Sequence, residues 1–241
     1  MAADGARRRV ITDMTKTDRL KWARPQWLLR PILLSALCTL LASCTHTLTV
    51  TGRIPTPLIE PFPVSIGLIV PAEFSTYIYR EKLPRGGGDW TVGLGALQDA
   101  FFTTLFDSVF QRVQRVSLPV CEQIDAPNAP GLGCPDGYLR ITLLEYAFLP
   151  PELSGLKFFS ASTKYQLELM DAGGAVRDTW VVVGYGKNEG GGFQATDALN
   201  AASVDAIRDA GARVALDWSK QENVVTWLDS IGRNNDPKPI M

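Results

Sequence analysis

Lys164-Tyr165-Gln166-Leu167-Glu168-Leu169 alternates polar and apolar residues, the period-2 pattern of a strand with one buried and one solvated face. Asp171-Ala172-Gly173-Gly174 follows as a turn, and Trp180-Val181-Val182-Val183 returns as a more buried strand. Working outward, residues 138–148 read as a strand leading into this pair. Residues 64–70 are a β-rich run stopped by Pro71, and residues 74–79 read as a second strand. Phe102, Leu105, Phe106, Val109, Phe110 and Val113 recur at spacings that place them on one side of a helix. Leu199, Ser203, Ile207, Ala210, Val214 and Trp218 form the stripe of a second helix, with Thr196 as its expected N-cap. A short helix is expected over residues 224–228. This order predicts an α+β fold: a two-layer sandwich, mainly antiparallel, with two amphipathic helices on one face of the sheet.

The chain's other informative stretch lies near its start. A run of apolar or small residues from Ile32 leads into Leu41-Ala42-Ser43-Cys44. The run is shorter than the roughly 20 residues a membrane-spanning helix needs, and Arg19, Lys21, Arg24 and Arg30 precede it, as in a secretory signal. Leu41 to Cys44 resembles a bacterial lipobox, in which the chain is cut before a cysteine that carries lipid. That resemblance implies a signal peptide over residues 1–43 and acyl chains, palmitate among them, on Cys44. Thr45 stands where an aspartate would favour inner-membrane retention, so the resemblance implies the outer membrane, facing the periplasm. A plain secretory signal and a short transmembrane anchor are the competing readings, and Met14 offers an alternative start. Arg7-Arg8-Arg9-Val10-Ile11 resembles a twin-arginine signal but stands far from the apolar run. Residues 44–63, rich in threonine and then proline, read as a tether. A single domain over residues 64–230 and a flexible tail over 231–241 complete the expected plan.

Eight of the 24 Lys/Arg and three of the 25 Asp/Glu precede Cys44, leaving 16 basic and 22 acidic residues and a mature chain of net −6. No basic cluster remains to neutralise phosphates, which argues against a nucleic-acid partner. Cys121 and Cys134 bracket a Pro/Gly-rich loop. In an exported protein they read as a disulfide, and metal binding, the alternative, has no histidine to complete a site. The only histidine, His46, falls in the expected tether, where it cannot be held against a catalytic partner. No nucleophile elbow and no phosphate-binding loop is present. Gly190-Gly191-Gly192 lacks the lysine and hydroxyl of a nucleotide site. Glu145 and Glu168 are the carboxylates weighed for a glycosidase pair, against a solvated strand face. The expectation is a chain without enzymatic activity or cofactor.

The stretch from Phe148 to Phe159, Phe-Leu-Pro-Pro-Glu-Leu-Ser-Gly-Leu-Lys-Phe-Phe, is unusually apolar for a connection between strands. Phe148, Leu149, Phe158 and Phe159 are therefore the candidate partner-binding residues. The alternative is that this loop closes one end of the core. A lipobox followed by a βα–β-meander–α domain resembles the small periplasm-facing lipoproteins of Gram-negative envelopes, including the auxiliary lipoproteins of ABC-type lipid transporters and the lipopolysaccharide-assembly lipoprotein. The likeness in element order covers residues 64–229. It implies a membrane-tethered adaptor, bound to the membrane through N-terminal acyl chains, with an envelope protein as partner. The second reading is a lipid-handling protein that holds an acyl chain in a cavity lined by Phe102, Phe106, Phe110 and Trp180. An envelope hydrolase is the third.

Overall fold

The structure, a computed structural model, describes residues 45–55, 58–84, 87–119, 133–189 and 194–235, all within one compact unit. The elements in chain order are β1 (Thr45–Thr49), β2 (Phe62–Ile69), α1 (Ala72–Ser75), β3 (Ile78–Lys82) and β4 (Asp89–Gly93), then α2 (Gly95–Val109), β5 (Phe110–Val116), β6 (Gly137–Leu149) and α3 (Pro151–Ser154). The chain continues through β7 (Phe158–Asp171), β8 (Val176–Glu189), α4 (Ala195–Asp217), a 3-10 turn over Trp218–Lys220 and α5 (Glu222–Asn235).

The α+β class holds, with the strands in two mixed sheets: β1-β4-β3 and β5-β2-β6-β7-β8. The large sheet is a β6-β7-β8 antiparallel meander built on the alternating stretch, as the sequence predicts. Its other half departs from the mainly antiparallel expectation, because β2 pairs in parallel with both β5 and β6. The return from β2 to β5 passes through α1, β3, β4 and α2, and a long excursion of this kind is what a parallel neighbour requires.

Three local expectations are corrected. Phe74 sits in the single turn of α1, not in a strand, and its ring meets Phe102 and Tyr165 at 6.1 and 6.0 Å. The first helix starts earlier and stops earlier than its apolar stripe predicts. At Phe110 the backbone turns extended, and Gln111-Arg112-Val113-Gln114-Arg115-Val116 continues as β5, so Phe110 and Val113 are strand residues. Thr196 lies inside α4, whose N-cap position is Gln194 with no side-chain cap bond.

Thr45 to Thr49, expected as tether, form a strand parallel to β4. Threonine's branched Cβ suits a pleated surface, and Leu48 and Val50 turn into the core while the threonines face solvent. His46 is accordingly not passive: its ring stacks on Trp90 at 4.2 Å. At the other end α5 runs on to Asn235, through the start of the expected tail, and buries Val224 and Trp227.

The core between sheet and helices is filled. Phe102, Phe106, Phe110 and Trp180 are buried and pack ring against ring with Trp218, with centroid separations of 4.9 to 6.3 Å along the series. They do not wall the cavity that the lipid-handling reading needs. α4 lies on β7 and β8. Its closest approach is at Gly184 and Gly186, where a Cβ would meet the backbone of Ala206 and Ala202.

Candidate functional site

β6 and β7 are 13 and 14 residues long and extend well past β2, whose pairing with β6 ends at Ile69 and Arg140. The small sheet covers the inner face of this overhang. Tyr79 packs on Tyr146 and Phe148 at 5.0 and 6.0 Å, and Trp90 packs on Phe148 and Phe159 at 5.2 and 6.1 Å. The four candidate contact residues are therefore split by the pleat. Phe148 and Phe159 point inward, 7% and 2% exposed, whereas Leu149 is 42% exposed and Phe158 half-buried beneath the Lys187 ammonium at 5.6 Å. Phe148→Ala or Phe159→Ala is expected to cost about 3–5 kcal/mol of stability, as aromatic deletions in cores do. Leu149→Asp is expected to stay within about 0.5 kcal/mol. Denaturant titration of the three variants checks the split.

The connection between β6 and β7 is a hydrogen-bonded cap. Pro150 and Pro151 open the single turn of α3, Ser154 and Gly155 donate their backbone N–H groups back to the Pro150 and Pro151 carbonyls, and Gly155 ends the turn in the left-handed region at φ 70°. Ser154 Oγ accepts from the Leu156 N–H at 3.1 Å. The cap presents Leu156, 51% exposed, and Lys157 outward.

β8 is an edge strand. Its inward residues carry α4, and its outward row, Val181, Val183 and Tyr185, is about half exposed. Leu144, at the β6 register shift, adds a fourth exposed apolar side chain. The Tyr185 backbone N–H donates to Asp209 Oδ2 of α4 at 3.0 Å, so that part of the edge is occupied.

The buried polar groups serve architecture. Tyr165 Oη donates to Gln98 Oε1 at 3.1 Å, and Gln98 Nε2 donates to the Phe74 carbonyl at 2.6 Å. Tyr146 and Ser203 share a hydrogen bond of 2.8 Å, and Ser203 Oγ also donates to the Leu199 carbonyl. Burial pushes both tyrosine hydroxyls well above their usual range, which keeps them neutral. Single polar residues inside apolar stripes give little signal in a sequence, and this seam was not foreseen.

Glu145 and Glu168 do not form a pair. Glu145 sits opposite Lys164 in the β6–β7 register, and Glu168 is held by Arg140 at 2.8 Å. Among the described residues no three His, Cys, Asp or Glu side chains are grouped to hold a metal. A polar cleft of about 450 Å³ lies between Asp136, Asp171, Arg177 and α5. Its carboxylates are spent on structure: Asp136 Oδ2 accepts the Ser65 N–H at 2.7 Å, and Asp171 Oδ1 accepts the Gly173 and Ala175 N–H groups at 2.9 Å.

Burial alone would raise the Asp171 carboxyl, but the Ala175 N–H and Arg177 outweigh it and hold it below the usual range. Asp99 is lowered likewise, with burial opposed by Arg115 and Ser75. A carboxyl lowered in the folded state stabilises fully above its unfolded value, 3.8 here, and loses that contribution as pH falls through its folded value. The melting midpoint is thus expected to be level from about pH 5 to 7 and to drop below about pH 4. Asp171→Asn should shrink the acid drop, as thermal melts over that range would show.

Cys44 and Cys121 lie outside the described residues, and Cys134 lies just ahead of β6. Among the described residues no helix is long and apolar enough to cross a membrane.

No family model matches the chain, and no curated protein matches it. Solved structures are similar in outline. A Xanthomonas campestris protein assigned to DUF330 is 12% identical, with a TM-score of 0.48 over 78% of this chain and 98% of its own. A candidate lipoprotein from Caulobacter crescentus is 17% identical, with a TM-score of 0.30 over 39% of this chain and 67% of its own. A hypothetical protein of Chlamydia trachomatis is 11% identical, with a TM-score of 0.34 over 65% of this chain and 96% of its own. Likenesses at this level carry no function across.

Proposed function

We propose that the chain is a non-enzymatic outer-membrane lipoprotein, anchored by acyl chains on Cys44, that acts as an adaptor for another envelope protein. The observation that carries this reading is the outer face of β8, where Val181, Val183 and Tyr185 form an apolar row with nothing packed on it among the described residues. Exposed apolar rows of this kind mark interaction surfaces, and long sheet edges accept extended segments of partners. Acylation confines the domain to the membrane surface and raises its effective concentration there. The Cys121–Cys134 bond belongs to this exported reading.

The test is a photoreactive residue at Val183 in the acylated protein, activated in intact envelopes. One stoichiometric protein adduct, lost when Val181 is also changed to Glu, supports the adaptor. Absence of any protein adduct at Val183 overturns it.

A second reading, lipid handling, rests on an apolar groove of about 290 Å³ between α2 and α4, lined by Phe101, Leu105, Gly211, Ala215 and Leu216 among others. Co-purified lipid detected by native mass spectrometry, and lost on Gly211→Leu, would move the assignment there.

A further inference from the structure

We propose that the end of the molecule formed by the 150–157 cap rests on the phospholipid surface, with Leu149 and Leu156 entering the bilayer interface. The proposal deepens the lipoprotein reading and rests on acylation at Cys44.

Chain direction fixes which end meets the membrane. β4 runs from Trp90, beside Phe148 and Phe159, toward Gly95, which lies against Ser75. Phe74, next to Ser75, meets Tyr165, six residues further along β7 than Phe159. β4 therefore begins at the cap end of the large sheet and ends near its middle. β1 is parallel to it, with Thr45 opposite Asp89 and His46 opposite Trp90. The strand begins one residue after the cysteine, and consecutive Cα atoms are about 3.8 Å apart. No free linker intervenes, so an acyl anchor on Cys44 draws this end of the fold to the lipid and no other.

The same end carries the features a lipid surface would meet. Leu149 and Leu156 are 42% and 51% exposed on the cap, and Leu153 is half-buried between them. Lys82, Lys157 and Lys187 are exposed around them, with Asp89, Glu152 and Glu189 nearby. Among the described residues these three ammonium groups are matched by carboxylates, so this end shows no basic excess. Its attraction to lipid is therefore apolar, with the lysine stems lying along the interface and their charges reaching the phosphates. The hydrogen-bonded cap holds the leucines outward without a further ordering cost.

The experiment is lipid photo-cross-linking with the full acylated protein on phosphatidylethanolamine–phosphatidylglycerol vesicles. The photoreactive residue is placed at Leu156 or, as a control, at Val176, the first residue of β8, at the opposite end of the β7–β8 pair. The expected result is a lipid adduct from position 156 and none from 176. With the probe at position 149, Leu156→Glu should cut the lipid adduct about ten-fold, the loss expected for one buried leucine. Intact mass, read on the same sample, separates the two failures. Acylated protein without a lipid adduct at 156, or with an adduct to a second copy of the chain, overturns the membrane contact alone. Protein without acyl mass overturns the anchor and the contact together.

Discussion

Gly184→Val is expected to lower the unfolding midpoint by roughly 6–12 °C, the equivalent of about 3 kcal/mol for a domain of this size. A Cβ at this position would fall on the Ala206 carbonyl oxygen and 2.7 Å from both the Ala210 Cβ and N. At Gly186 it would fall on the Ala202 carbonyl and 2.6 Å from the Ala206 N. The obstacles are backbone atoms of a 23-residue helix, which cannot swing aside as a side chain can. Relief requires lifting α4 off β8, and that motion opens the packing of Leu199, Ile207 and Val214 as well. Such a loss is a large share of the 5–15 kcal/mol that holds an ordinary domain together. Gly232→Ala is the control. It lies in α5 with nothing within 4 Å of the new methyl group, and helix propensity alone should make it neutral or stabilising by up to about 1 kcal/mol. Thermal melts of the two variants should move in opposite directions or differ by several degrees.

Cys44→Ser is expected to release the mature domain almost completely from the membrane fraction, with loss of the acyl mass. Two acyl chains bind a protein to a bilayer durably, whereas one gives only marginal binding of about 10⁴ M⁻¹. The cap leucines alone contribute less than an acyl chain, so they cannot retain the protein without the anchor. Fractionation and intact mass of the variant check this. Residues 1–43 still attached in the unsubstituted protein, with no acyl mass, would instead identify residues 32–43 as an uncut anchor.

The meander was the readable part of the fold. Lys164 to Leu169 alternates cleanly, and Asp171 to Gly174 closes a turn whose bonds are local. Parallel pairing of β2 with β5 and β6 depends on contacts across long stretches of chain, which no local period encodes. β1 was missed because its apolar content is Leu48 and the flanking Val50. Its strand character comes from Trp90 and β4, about 45 residues away. At the candidate site, composition singled out the apolar 148–159 stretch. The pleat that sends Phe148 and Phe159 inward and leaves Leu149 outward becomes definite only once the strand is known to run through Leu149. The outward row on β8 was hidden by its three consecutive valines, which read as buried on both faces. Gly184 and Gly186 left no trace as a packing motif until Ala202, Ala206 and Ala210 were seen opposite them.

The bond from the Tyr185 N–H to Asp209 has a consequence for how copies of this protein tolerate crowding. On the proposed lipoprotein reading the domain diffuses in two dimensions among its own kind, and a 14-residue edge bearing three exposed apolar side chains is a template for chain-on-chain growth. The Asp209 carboxylate sits on that edge, where a second strand would have to displace a charged group tied to Arg213 at 3.2 Å. One side chain on a neighbouring helix thus works as a local gatekeeper against polymerisation, closing the ladder at Tyr185 while the valine row stays open.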